Sequence, residues 1–262
     1  MATTDSIEAV LSALRSSHAR LADAVGPLTA GEVTGRSYCD GWSIAQVLSH
    51  LGSGAEIFDM LLDAGLRSGP APGSQQFQQI WDRWNAKSPQ DQARDAVAAD
   101  AAFLDRLGAL SPAQRTQWRL SMFGGERTLG DMARMRLGEH AVHTWDIAVA
   151  LDGKATVAGD AVELILEILP GLAARAGKPV GQDVHVHVTT HDPGRSFQLE
   201  AGLDSVGLSP AGPEHAADGA ELRLPAEALV RLVYGRLDPE HTPPVESEHV
   251  ELDTLRRVFP GF

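Results

Sequence analysis

The sequence predicts a two-domain protein of the α + α/β kind: an N-terminal four-helix bundle over residues 1–153 and a smaller C-terminal α+β domain over residues 154–262. Three observations carry this reading. As far as Gly153 the apolar residues recur at three-and-four spacing, the signature of buried helix faces. Beyond it, Val184-His185-Val186-His187-Val188-Thr189 alternates with a period of two, which only a strand explains well. The Gly and Pro clusters fall between these segments, and 262 residues suffice for two modest cores.

The first helix runs from about Asp5 to Ala24, with Ile7, Val10, Leu11, Leu14, Leu21 and Val25 on its apolar side, and Gly26-Pro27 ends it. Ser43 caps the second, whose stripe of Ile44, Val47, Leu48, Leu51, Ala55 and Phe58 continues to about Leu66 before Ser68-Gly69-Pro70-Ala71-Pro72-Gly73 breaks the chain. The third helical region comes in two pieces. Ser88-Pro89-Gln90-Asp91 starts the longer one, which carries Ala93, Val97, Ala101, Leu104 and Leu107. Thr128 and Asp131 form a capping box at the start of the fourth helix, which closes near Asp152-Gly153.

In the second domain one helix is expected from about Gly159 to Ala176, then strands at Val184–Thr189, at 197–200 and at 221–224. Pro225-Ala226-Glu227 opens a helix through Tyr234, and the chain closes with a short strand near His249 to Leu252 and a helical turn. Alternation places His185 and His187 opposite the valines. With His191 they form a histidine-rich strand, read as its polar face rather than as a second metal site.

Composition excludes several functions. Lys+Arg 22 against Asp+Glu 35 gives a net charge of -13, which disfavours phosphate backbones and anionic membrane surfaces, so neither nucleic acid nor membrane is expected as a partner. The start Met1-Ala2-Thr3-Thr4-Asp5 lacks signal-peptide regions and no apolar run reaches membrane-span length, so a cytoplasmic location is expected. Cys39 is the single cysteine. It permits no internal disulfide and no cysteine-rich zinc site, and it is expected to behave as a small hydrophobe.

The chemistry concentrates in Glu139-His140-Ala141-Val142-His143-Thr144-Trp145-Asp146. Four-residue spacing stacks Glu139 and His143 on one helical face, half of a site for a divalent ion. A catalytic zinc takes three protein ligands and keeps an open position. His50, at the edge of the second helix's apolar stripe, is the candidate third ligand if the two helices pack side by side. Spacing leaves open a His50, His140, His143 set, and equally a hydrogen-bonded core histidine beside a surface pair. Asp146, one turn past His143, is either a surface acid or the group that orients a ligand from behind.

The Gly41-Trp42-Ser43 segment leading to His50-Leu51, followed by Glu139-x-x-x-His143-x-x-Asp146, resembles the mycothiol-dependent maleylpyruvate isomerase family, within the DinB-like metal-binding four-helix bundles. The resemblance spans nearly the whole chain. It implies a C-terminal domain like the sterol-carrier proteins, a divalent metal, most simply zinc, held by His50, Glu139 and His143, and mycothiol as co-substrate. His140 then drops out and Cys39 lies outside the ligand pattern. Asp146 joins the cofactor site as an orienting group. Tyr234-Gly235-Arg236 is similar to the family's Gly-Arg segment, which makes Arg236 the candidate catalytic arginine gripping a carboxylate, with Arg231 its rival.

The resemblance implies a metal-bound thiolate that attacks a small electrophile. If the adduct persists the protein is a thiol S-transferase, the reading favoured because it demands fewer special contacts. If the adduct collapses after bond rotation it is a cis-trans isomerase of a maleylpyruvate-like acid. A non-catalytic metal-dependent binding or stress protein is the alternative outside enzymes, and metal-assisted hydrolysis a further one without a supporting motif. The partners expected are a small thiol and a small electrophilic substrate, with no obligate protein partner inferred.

Overall fold

The computed structural model describes residues 2–122, 124–212 and 219–261, with side chains from Ile7 onward. The chain divides into two compact units, Met1–Ala155 and Thr156–Phe262. The first is helical and the second is built on a sheet, giving the two-domain α+β architecture.

The first unit contains α1 (Ala2–Val25), α2 (Ile44–Leu66), α3 (Ser74–Asn85), α4 (Pro89–Gly108), α5 (Pro112–Gln117), a hairpin of β1 (Arg119–Met122) and β2 (Gly125–Thr128), and α6 (Leu129–Leu151). Helices α1, α2, α4 and α6 form the bundle: α1 lies against α4 and α6, and α2 against the same two. Glycine sets how closely α2 is approached. A Cβ at Gly52 would stand 2.2 Å from the Trp84 ring, and one at Gly65 would stand 2.2 Å from that of Trp118. Both indoles are almost fully buried, and Trp118 Nε1–H donates to the Leu62 carbonyl (2.9 Å). The hairpin and α5 are additions that helical periodicity does not announce.

The second unit contains α7 (Gly159–Ile165), α8 (Leu169–Ala176), β3 (Val184–His191), β4 (Arg195–Ala201), β5 (Val206–Pro210), β6 (Ala220–Pro225), α9 (Ala226–Val233), β7 (Glu246–Glu248) and α10 (Leu252–Val258). The sheet order is β5-β4-β3-β6-β7, antiparallel except for the parallel β3–β6 pair. Register aligns Val188 with Phe197 on one side and Leu222 on the other, joining the buried positions of three strands.

Three details depart from the sequence expectation. The single helix expected over 159–176 is two, α7 and α8, because Pro170 at the start of α8 has no N–H to continue a ladder. The last strand lies at Glu246–Glu248, earlier than expected, and His249 follows it with φ of 57°, outside the extended region. The two histidines opposite the valines differ, His185 being exposed and His187 buried, since Val186, His187 and Val188 are all covered at the middle of β3. No helix among the described residues is long and apolar enough to cross a membrane.

Candidate metal centre

Two capped helices bring the candidate donors together. Ser43 Oγ accepts the Gln46 N–H (3.2 Å) while Gln46 Oε1 accepts that of Ser43 (2.9 Å), which fixes the start of α2. His50 then falls on its second turn. The same reciprocal pair, Thr128 with Asp131, starts α6. Because α2 lies against α6, His50 meets Glu139 and His143 across the helix interface.

His50 Nε2 is 3.4 Å from Glu139 Oε2, and His143 Nε2 is 3.8 Å from the same oxygen. One donor atom from each of His50, Glu139 and His143 lies within 4.8 Å of the others. Ligands at zinc distances in a tetrahedron stand about 3.3 Å apart, so these spacings are close to those an ion requires. The centre is open on one side: the His50 and Glu139 side chains are 34% and 41% exposed, against 12% for His143.

The charge states also suit a cation. Removal from water alone would raise the Glu139 carboxyl, but the hydrogen bond to His50 and the electrostatic attraction of the neighbouring His143, His50 and Arg136 side chains outweigh it and push the group down to about 2. Burial drives His50 the other way, below its ordinary value in spite of the hydrogen bond to Glu139, which favours the neutral imidazole that a cation needs.

Asp146 is fully buried, which removes the surface-acid reading. Its Oδ2 accepts from His143 Nδ1 at 2.8 Å. With the proton held on Nδ1, Nε2 is the free donor and points to the Glu139 side. Cys39 Sγ–H donates to the same oxygen at 3.0 Å and lies 3.9 Å from His143 Nδ1. Cys39, His143 and Asp146 therefore form a second group of closely spaced donors that shares one imidazole with the first. The two cannot both use a neutral ring, and the Nδ1 hydrogen bond to Asp146 leaves Nε2 available on the side of His50 and Glu139. Sequence reasoning gave Cys39 no place here. The available signal was its position in the short loop before the helix of His50.

His140 belongs to a separate buried network. Its Nδ1 accepts from Ser17 Oγ–H (2.8 Å), and its Nε2 lies 3.1 Å from Asp100 Oδ2. Asp100 also accepts from Arg136 Nη2 (2.8 Å) and His18 Nδ1 (2.9 Å). His140 is thus turned away from the donors that its sequence neighbours supply, and the all-histidine set is not assembled.

In the second unit Arg231 is buried: Nε and Nη2 donate to the Glu227 carboxylate, both at 2.7 Å, and Nη1 to the His241 carbonyl at 2.7 Å. Those bonds explain Arg231 as a structural residue. Arg236, part-exposed after the turn at Gly235, donates from Nη1 to the Tyr234 carbonyl (2.6 Å). Among the described residues the potential metal-holding groups are the two that share His143, and the β3 histidines are in neither.

Residues 14–148 match the domain described as "Mycothiol maleylpyruvate isomerase N-terminal domain", and residues 160–259 match the "MDMPI C-terminal domain". The fold is also similar to the crystal structure of the mycothiol-dependent maleylpyruvate isomerase, at 14% identity and TM-score 0.67, with 93% of each chain covered. A histidine-to-alanine mutant of that enzyme matches at 15% identity and TM-score 0.66 over the same shares of the chains. At such identities the likeness is one of fold. Comparison with curated protein sequences gives no match.

Proposed function

Because the chain belongs to the mycothiol maleylpyruvate isomerase family, we propose that it is a metal-assisted, mycothiol-dependent cis-trans isomerase of a small unsaturated acid of the maleylpyruvate kind. The observation that carries this is the convergence of His50, Glu139 and His143 on one open-sided position, with the far nitrogen of His143 already taken by Asp146. The sequence alone leans toward thiol S-transfer. Membership of a family matched in both domains favours isomerisation, in which the thiol is released again.

In this reading His50, Glu139 and His143 hold a divalent ion, most simply zinc. Such an ion would make a thiol arriving at the open position acidic enough to ionise near neutral pH. Glu139 brings a negative charge that leaves a centre with two neutral imidazoles net positive. Asp146 keeps the His143 proton on Nδ1. Arg236 is the residue assigned to the substrate carboxylate, by planar two-point hydrogen bonding, while Arg231 is committed to Glu227 and His241.

The test incubates the zinc-loaded protein with maleylpyruvate and either mycothiol, glutathione or no thiol. Proton NMR follows the two geometric isomers and mass spectrometry follows adducts. Expected is conversion of cis to trans with mycothiol alone, lost on metal removal. An accumulating thioether would favour S-transfer instead, and equal turnover without thiol would overturn the reading.

A further inference from the structure

Trp42 is among the large hydrophobic side chains left exposed, at 39%. It lies against a donor of the metal centre, its indole centroid 5.7 Å from the His50 ring with the planes at 56°. Isolated exposed aromatics are ordinary on protein surfaces and need no explanation when their loops are loose. This one is held. Gly41 takes φ of 72°, a turn that L side chains resist, and the Trp42 N–H donates to the Cys39 carbonyl (3.0 Å). The Trp42 carbonyl accepts both the N–H and the Oγ–H of Ser37, each at 3.0 Å.

The same loop is fastened to α6 beside His143. Tyr38 N–H donates to the Asp146 carbonyl (2.9 Å), Cys39 Sγ–H donates to the Asp146 carboxylate, and the Tyr38 ring lies 4.7 Å from that of Trp145. The residue that orients His143 thus also anchors the segment that carries Trp42. The indole is placed relative to the donors by backbone bonds on one side and by contact with His50 on the other.

We propose that Trp42 is a specificity-determining contact whose indole receives the planar, conjugated part of the substrate at the edge of the metal centre. An aromatic face favours a flat unsaturated group, which can lie along it, over a puckered saturated one. A rigid tryptophan does this at small cost in conformational entropy. The proposal deepens the isomerase reading by naming the substrate feature that the site selects, a carbon–carbon double bond in the plane of its carboxyl or carbonyl substituents.

The test uses full-length, zinc-loaded protein without thiol and compares maleate with its saturated counterpart succinate by titration calorimetry. Wild type should bind maleate about five- to tenfold more tightly than succinate. Trp42→Ala and Trp42→Leu should lose that preference at unchanged zinc content, and Trp42→Phe should restore most of it. With mycothiol and maleylpyruvate, Trp42→Ala should raise KM by a similar factor while kcat changes far less. No preference in wild type, or an undiminished preference in Trp42→Ala or Trp42→Leu, would overturn the proposal. A maleate preference that depends on Trp42 in a protein without mycothiol-dependent turnover would sustain this contact and remove the isomerase reading instead.

Discussion

Asp146 is placed to orient His143 without joining the group of His50, Glu139 and His143. Its carboxylate accepts hydrogen bonds from His143 Nδ1–H and from the Cys39 thiol. Asp146→Asn would present an amide that can donate to Nδ1, favouring the tautomer with its proton on the metal-facing nitrogen. Zinc affinity, measured by competition with a chromophoric chelator, should fall by about ten- to a hundredfold. An unchanged affinity would place the orienting role elsewhere. The spacing of Glu139, His143 and Asp146 was legible because α-helical geometry stacks them on one face. The exclusion of His140 was not. Its neighbours in space, Ser17 and Asp100, come from other helices, and no local pattern distinguishes a ligand imidazole from one held in the core.

At the scale of elements, the bundle is joined by a buried charged link as well as by apolar faces. Asp100 on α4 and Arg136 on α6 are nearly inaccessible to water and 2.8 Å apart. Burial alone would raise the Asp100 carboxyl, but His140, Arg136 and the hydrogen bond with His18 outweigh it and hold the group well below the usual carboxylate range. A folded-state pKa below the unfolded one contributes stability that is present above the unfolded value and is lost as pH falls beneath it. Asp100→Asn, which leaves Arg136 buried without its counter-charge, should therefore cost about 3–5 kcal/mol at neutral pH by urea unfolding. The difference from wild type should shrink below about pH 4. A difference that does not vary with pH would mean that the carboxylate's charge is not what stabilises the link.

Packing at this scale gives a second prediction, remote from the donors. Gly65→Ala puts a methyl group against the Trp118 indole, whose N–H is already committed to Leu62. Thermal and urea unfolding should register a loss of about 1–3 kcal/mol from overpacking. A neutral result would show that the indole can shift without losing its hydrogen bond. The helices and their caps were readable because Ser43, Ser88 and Thr128 act on residues only a turn away. The hairpin at 119–128 and the strand Val206–Pro210 were missed, being short elements fixed by pairing rather than by their own periodicity.

For the whole molecule, two compact units mean that unfolding need not be a single transition. An ion bound only by side chains of α2 and α6 should stabilise the helical unit. Zinc at about a hundredfold excess over its dissociation constant should add about 2.7 kcal/mol to the transition of that unit. Calorimetry of the full chain with zinc and then with chelator would show it. A shift confined to the sheet-containing unit would place the ion elsewhere.

What the sequence by itself determined was the helical half, the strand that opens the sheet, and that a single cysteine allows no internal disulfide; it also offered His50, Glu139, His143 and Asp146 as candidates without their partners in space. All of these follow from periodicity, capping and residue chemistry over a few positions. Tertiary structure alone decided which imidazole faces Glu139, that Cys39 meets Asp146, that Arg231 is consumed by Glu227, and that Trp42 stands beside His50. Except for the Arg231–Glu227 pair, one helical turn apart, and Trp42 with His50, eight residues apart, these contacts join residues from different parts of the chain. A hydrogen bond across such a distance depends on the packing of whole helices, for which no short stretch of sequence carries the information.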